Sequence, residues 1–222
     1  MRCVSRLKPG VRPGVDQLRN EHLKSMVGNC SEKKPTENKF CVLMSSVLTI
    51  VARGSAPRPI VNILRDNELM ALGKVDSDDV RPIGVGGSLR KIISTCLFQS
   101  DEMKEFNARH FAEHQYGLDR NGIELVAHDI KRRLKLDPTL DLYSVDADNA
   151  FNRSNRLRGL NEVKKFRPGL LPFLRDMYLE SSSGWFHGLD SGIIDIESAE
   201  GWHQGDVMAS WLYMMTNQPL LE

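Results

Sequence analysis

Apolar positions along the chain recur at two spacings. In residues 40–52, Val42, Leu43, Val47, Leu48, Ile50 and Val51 fall at helical intervals, which predicts a buried helix ended by Pro57 and Pro59. A shorter helix is predicted over residues 18–26, before a polar loop through Asn29, Ser31, Lys33 and Pro35. Leu69-Met70-Ala71-Leu72 and residues 80–85 flank Asp76-Ser77-Asp78-Asp79, the pattern of a β-hairpin. Residues 89–106 read as one long helix, and another, begun near Ile123, continues through 128–134.

In the second half, residues 140–145 predict a short strand ending at Asp146. Helices follow over 154–166 and 170–180, separated by Pro168-Gly169. Residues 185–187 and 193–197 form a second hairpin about Asp190-Ser191-Gly192. A last helix runs over 206–217, ended by Pro219, and residues 1–16, rich in Pro, Gly and Arg, read as an extended lead-in. Helices and short strands in irregular order predict an α+β fold and not a wound parallel sheet.

Composition narrows the class. With 41% hydrophobic and 27% charged residues, the chain is globular in character. Lys plus Arg number 30 against 29 Asp plus Glu, so net charge does not mark a nucleic-acid binder, but distribution does more. Arg153, Arg156, Arg158, Lys164, Lys165 and Arg167 crowd one stretch beside the single acid Glu162, and Lys131, Arg132, Arg133 and Lys135 precede it. Either run alone reads as a solvated helix face; two flanking a candidate site suggest phosphate contact. Cys3, Cys30, Cys41 and Cys96 form no Cys-x-x-Cys pair, so neither a zinc ribbon nor a disulfide framework is expected, and a reducing compartment suits the chain. With no signal-like start and no window near the ~18 apolar residues of a membrane span, the expectation is a soluble intracellular protein, cytoplasmic or nuclear, with no membrane partner.

The chemistry centres on Asp146-Ala147-Asp148-Asn149-Ala150-Phe151-Asn152. A carboxylate at a strand end, followed by a turn of small residues, can hold a divalent cation while the turn's N–H groups face a phosphate chain. The same pattern is also ordinary turn chemistry. The order of segments along the chain decides between them. Asp-x-x-x-Ala-Phe after a strand resembles motif A of reverse transcriptases. Gly201-Trp202-His203-Gln204-Gly205-Asp206-Val207-Met208-Ala209-Ser210 resembles their motif B, a Gln-Gly turn leading into a helix. Arg81-Pro82-Ile83 with Leu89-Arg90-Lys91-Ile92 resembles the fingers motif, and Gln115-Tyr116-Gly117 the segment between fingers and palm. Gly14-Val15-Asp16-Gln17-Leu18-Arg19 and Glu21-His22-Leu23 are similar to the N-terminal extension of non-LTR retrotransposon enzymes.

The resemblance implies right-hand polymerase fingers plus an incomplete palm, divided as an N-terminal extension (1–60), fingers (61–138) and partial palm (139–222). It implies RNA-directed DNA synthesis on an RNA template and DNA primer from deoxynucleoside triphosphates, with Mg²⁺. Asp146, helped by the Ala147 carbonyl, would bind the metal ions of a two-metal site. Backbone N–H groups near Asn149 and Ala150 would contact the triphosphate, Phe151 would lie under the sugar as a steric gate, and Lys74 and Arg81 would clamp the phosphates. Gln204 would position nucleotide and template, and Gly205 would admit the base pair. Asn152 and Trp211 stand where the family often has Asp and Pro. Motif C, Tyr-x-Asp-Asp, is not found before Glu222, so these residues alone are expected to lack activity. The alternatives are a catalytically dead retroelement relic that at most binds nucleic acid, and a zinc hydrolase built on His110-Phe111-Ala112-Glu113-His114. Against the hydrolase, the two histidines read as residues of an exposed helix end.

Overall fold

A computed structural model describes residues 2–28, 38–73, 79–111, 115–188 and 192–221. Helix α1 (Arg2–Ser5) leads into α2 (Asn20–Val27) and α3 (Lys39–Ala52). The Asn38 side chain starts α3 by accepting from the N–H groups of Phe40 and Cys41, at 3.0 and 3.3 Å. The expected helix is therefore present, but it is not buried. Only Cys41 and Val51 are fully covered, while Leu43, Val47 and Ile50 face outward. Its apolar residues occupy more of the circumference than one packing contact can cover. The prolines do not end it, because the chain turns at Arg53 and Gly54. Pro57 and Pro59 instead open α4 (Arg58–Arg65), where a missing N–H costs nothing.

Strands β1 (Asn67–Gly73) and β2 (Val80–Gly86) form the first expected hairpin, paired from Asn67↔Gly86 to Gly73↔Val80. Most of its predicted turn lies outside the described residues. The single helix expected over 89–106 is two, α5 (Ser88–Phe98) and α6 (Asp101–His110). Ser100 breaks it: its hydroxyl accepts from the Met103 N–H at 3.3 Å, a new N-cap in place of a helical turn. Helix α7 (Gly122–Leu136) follows, with none of its residues buried.

Helix α8 (Arg156–Phe166) and α9 (Leu171–Tyr178) are joined by a 3₁₀ turn at Pro168–Leu170. Strands β3 (Ser182–Gly188) and β4 (Gly192–Ser198) make the second hairpin, and α10 (Ala209–Asn217) closes the series. The two hairpins merge into one sheet of order β2-β1-β3-β4, since β1 runs parallel to β3 through Asn67↔Gly184 and Leu69↔Phe186. The fold is α+β with a mixed sheet. Its main apolar core draws Val61 and Leu64 from α4, Ile93 from α5, Leu160 from α8, Phe173 from α9 and Trp211 from α10. The stretches 1–60, 61–138 and 139–222 all contribute to this one cluster.

The strand expected over 140–145 does not form. Residues 141–147 have no regular structure, and among the described residues no strand pairs with them. Tyr143 and Val145 are 85% and 92% exposed. Alternation predicts which faces a strand would present, but a strand exists only where a neighbour completes its hydrogen bonds.

Candidate functional site

Five sequence-distant segments meet through specific bonds. The Asp16 carboxylate accepts from the Ser88 N–H at 2.6 Å and so fixes the start of α5. The Gly84 N–H, next to Arg81-Pro82-Ile83, donates to the Gln204 carbonyl at 2.8 Å. The Trp202 N–H donates to the Phe151 carbonyl at 2.8 Å, and the Gly201 N–H to the Ser154 carbonyl at 3.0 Å. The Gln115 side chain donates to the Met214 carbonyl at 3.0 Å.

Two glycines allow these approaches. Gly201 has φ +67, and a Cβ there would lie 2.2 Å from the Asn152 carbonyl oxygen. Gly205 has φ +108, and its Cβ would come 2.8 Å from the Gly84 oxygen. Both left-handed conformations and both contacts exclude ordinary side chains.

Beneath this junction lies a buried polar network. On α5, Arg90 donates to the Asp206 carboxylate at 2.5 Å and to the Arg65 carbonyl at 3.0 Å. Burial pushes the Asp206 carboxyl up, but the Arg90 charge and the Met208 N–H outweigh it and hold the group below its ordinary value. His203 Nδ1 lies 3.0 Å from the Asn67 amide nitrogen and 3.3 Å from an Arg90 nitrogen. Arginine can only donate, so Nδ1 accepts and the ring proton sits on Nε2. Nε2 faces the hydroxyls of Ser182 and Ser198, each at 3.2 Å. Burial, reinforced by Arg90, pushes His203 down to about 3 and keeps it neutral. With its proton on the serine side, the imidazole cannot act as base toward either serine. This is positioning chemistry, not a nucleophile.

Arg156 belongs to the same interior. It donates to the carbonyls of Gly201, Ser198 and Glu200 at 2.7, 3.2 and 3.0 Å, and burial pushes it down to about 10. Its expected role in a surface basic run is therefore corrected: it holds the Gly201 turn from beneath. Lys165 pairs with Glu162 and Arg167 with Glu102, at 2.6 and 3.4 Å. A shallow hollow at α8, lined by Asn155, Arg158, Asn161, Glu162, Lys164 and Lys165, has three basic groups, one of them paired with Glu162, and keeps a basic outer face. On α7, Lys131 and Lys135 are exposed, and Arg132 and Arg133 share Asp129.

The residues expected at the site lie in several separate places. Asn149 adopts φ 49, and its carbonyl accepts from the Arg153 N–H at 3.0 Å, so the turn over 149–153 is formed. Ala150 lies in that turn, and its carbonyl accepts from the Ser154 hydroxyl at 2.7 Å. Phe151 is half-buried, its ring 5.3 Å from that of Tyr213. A cleft of ≈ 470 Å³ opens between the sheet and the 199–204 loop, lined in part by Asn67, Leu69, Pro82, Asn152, His203 and Gln204. Asp146, Arg81 and Phe151 do not line it. Arg81 is exposed on β2, and Lys74 lies outside the described residues. Asp146 and Ala147 are exposed on the unpaired segment. Among the described residues no three His, Cys, Asp or Glu side chains gather as a metal site. One carboxylate and one carbonyl do not fit a two-ion centre.

His110 is not on an exposed helix end. It is half-buried, stacked on Phe106 at 4.8 Å and against Phe166 at 4.6 Å, while Glu113 and His114 lie outside the described residues. No described helix is long and apolar enough to cross a membrane. Sequence reasoning missed His203, Asp206 and Arg156 as interior groups. For Arg156 the sequence carried no signal of this: the Asn155 cap marks the start of α8 but not which way its first residue faces. Compared with known proteins, the chain matches no family model and no curated protein.

Proposed function

We propose that this chain is the template- and nucleotide-positioning part of a reverse-transcriptase-like polymerase of non-LTR type, acting with an RNA template, a DNA primer and deoxynucleoside triphosphates. The supporting observation is the convergence just described. The segment that resembles motif B is bonded to the motif A segment through Trp202–Phe151, and to the strand that carries Arg81-Pro82-Ile83 through Gln204–Gly84. The Gln204–Gly205 turn is held by backbone bonds, which leaves the Gln204 side chain free to line the cleft. Arg158 and Lys164 supply sequence-independent attraction for a phosphate backbone.

The exposure of Asp146 without partner carboxylates favours positioning over chemistry for these residues. Fluorescence anisotropy of a labelled RNA–DNA primer–template tests the reading. Binding should weaken steeply with salt, and charge reversal at Arg158 and Lys164 should flatten that slope. Absence of binding at low salt would overturn it. Primer extension by the 222 residues alone, with Mg²⁺ or Mn²⁺, should stay at background. Extension abolished by Asp146→Asn would instead show that they hold a complete centre.

A further inference from the structure

Two thiols distant in sequence face one another outside the cleft lining. Cys3 on α1 and Cys96 on α5 lie with their sulfurs 3.2 Å apart, and neither is in a disulfide. One helical turn further along both elements, Arg6 donates to the Gln99 side chain at 3.3 Å. Both contacts span the same separation of 93 residues, so the two segments run side by side in register. Val4, between Cys3 and Arg6, is 3% exposed and packs with Leu23, Val27, Cys41 and Ile92. The thiols are thus held together by a packed apolar contact and a flanking polar one. Cys96 is exposed enough for a small reagent to reach it.

We propose that Cys3 and Cys96 are a redox modification site, joined reversibly into an intrachain disulfide by exchange with a small-molecule disulfide such as oxidised glutathione. One thiolate attacks a glutathione sulfur, breaks its S–S bond and releases one glutathione thiolate. The second cysteine, once deprotonated, attacks the mixed disulfide and releases the other. Two electrons pass from the cysteine sulfurs to glutathione, and the two cysteine protons end on the released thiols. Burial and the neighbouring Cys3 push the Cys96 thiol up to about 11. The reduced pair therefore lacks the thiolate stabilisation that makes a dithiol strongly oxidising, which favours the bonded form. The bond would tie the N-terminal helix to α5, the helix that carries Arg90 into the polar network.

The test equilibrates the 222-residue chain with graded ratios of oxidised to reduced glutathione, then alkylates and digests it. Free thiols should fall from four to two, and one cross-linked peptide pair should carry Cys3 and Cys96. The oxidised chain should melt higher than the reduced one, by roughly 5–15 °C for so long a closed loop. Cys3→Ser should abolish both changes and leave Cys96 as a glutathione adduct. Adducts without loss of two thiols, a bond joining other cysteines, or a melting temperature that does not rise would each overturn the proposal.

Discussion

His203 should make this protein acid-sensitive well above the range where carboxylates titrate. In the folded chain its pKa falls from 6.5 to about 3, because the ring is buried and Arg90 lies beside it. In the unfolded chain it titrates near the ordinary value of about 6.5. Below that pH the unfolded state binds a proton that the folded state refuses, so stability falls as pH falls. The contribution is fully present above about pH 7 and declines by up to about 1.4 kcal/mol per pH unit, reaching about 2 kcal/mol by pH 5. That is a large part of the ~5–15 kcal/mol typical of a folded domain. Asp206, held below its ordinary value by Arg90 and the Met208 N–H, adds its own loss only below about pH 4, so of the two groups only His203 contributes between about pH 7 and 5. Urea unfolding at pH 7.5, 6 and 5 measures the slope in the wild type and in His203→Gln. The variant should be less stable at pH 7.5 but flatter across the window by about 2 kcal/mol. Parallel slopes in the two proteins would refute a buried neutral imidazole.

Removing one partner of the buried ion pair, as in Arg90→Met, should cost about 3–5 kcal/mol in urea unfolding, and Arg90→Met with Asp206→Leu should recover part of it. Gly201→Ala should lose about 2 kcal/mol or more, from the left-handed backbone and the clash with the Asn152 carbonyl; a variant with wild-type stability would mean that the 201–202 junction gives way easily. Phe151→Val should lower the melting temperature by several degrees, because the ring packs on Tyr213 and the core. An unchanged melting temperature would leave that ring free for a ligand.

The elements that were legible in the sequence are those whose signal is local. Both hairpins follow from apolar runs flanking polar turns, and their strands lie close to the expected ranges. Ser100 was hidden inside an otherwise helical pattern, since a capping serine and a helical serine look alike until the backbone is seen. The outward face of α3 and the unpaired 140–145 stretch show the complementary limit: apolar spacing states what a segment could bury, not what lies beside it. For the site, the resemblance placed the Gln204 turn and the Phe151 turn in their order, and the structure brings them together. The charged interior could not be read the same way. Arg156 and Arg158 are two residues apart in one basic run, yet one is buried beneath the Gly201 turn and the other lines the hollow on α8. Only packing separates them.

The open stretch before Asp146 also governs how the isolated protein behaves at high concentration. Leu140, Leu142 and Tyr143 are exposed on a segment without regular structure, and among the described residues no strand pairs with it. Exposed apolar residues on such an unpaired segment can pair with the same stretch of another molecule, and pairing of that kind is how ordered aggregates begin. Asp141, Asp146 and Asp148 interrupt and flank it with like charge, the arrangement by which natural sequences discourage self-pairing. The carboxylate read as a metal ligand thus has a second physical effect here: its negative charge helps to keep copies of the chain apart.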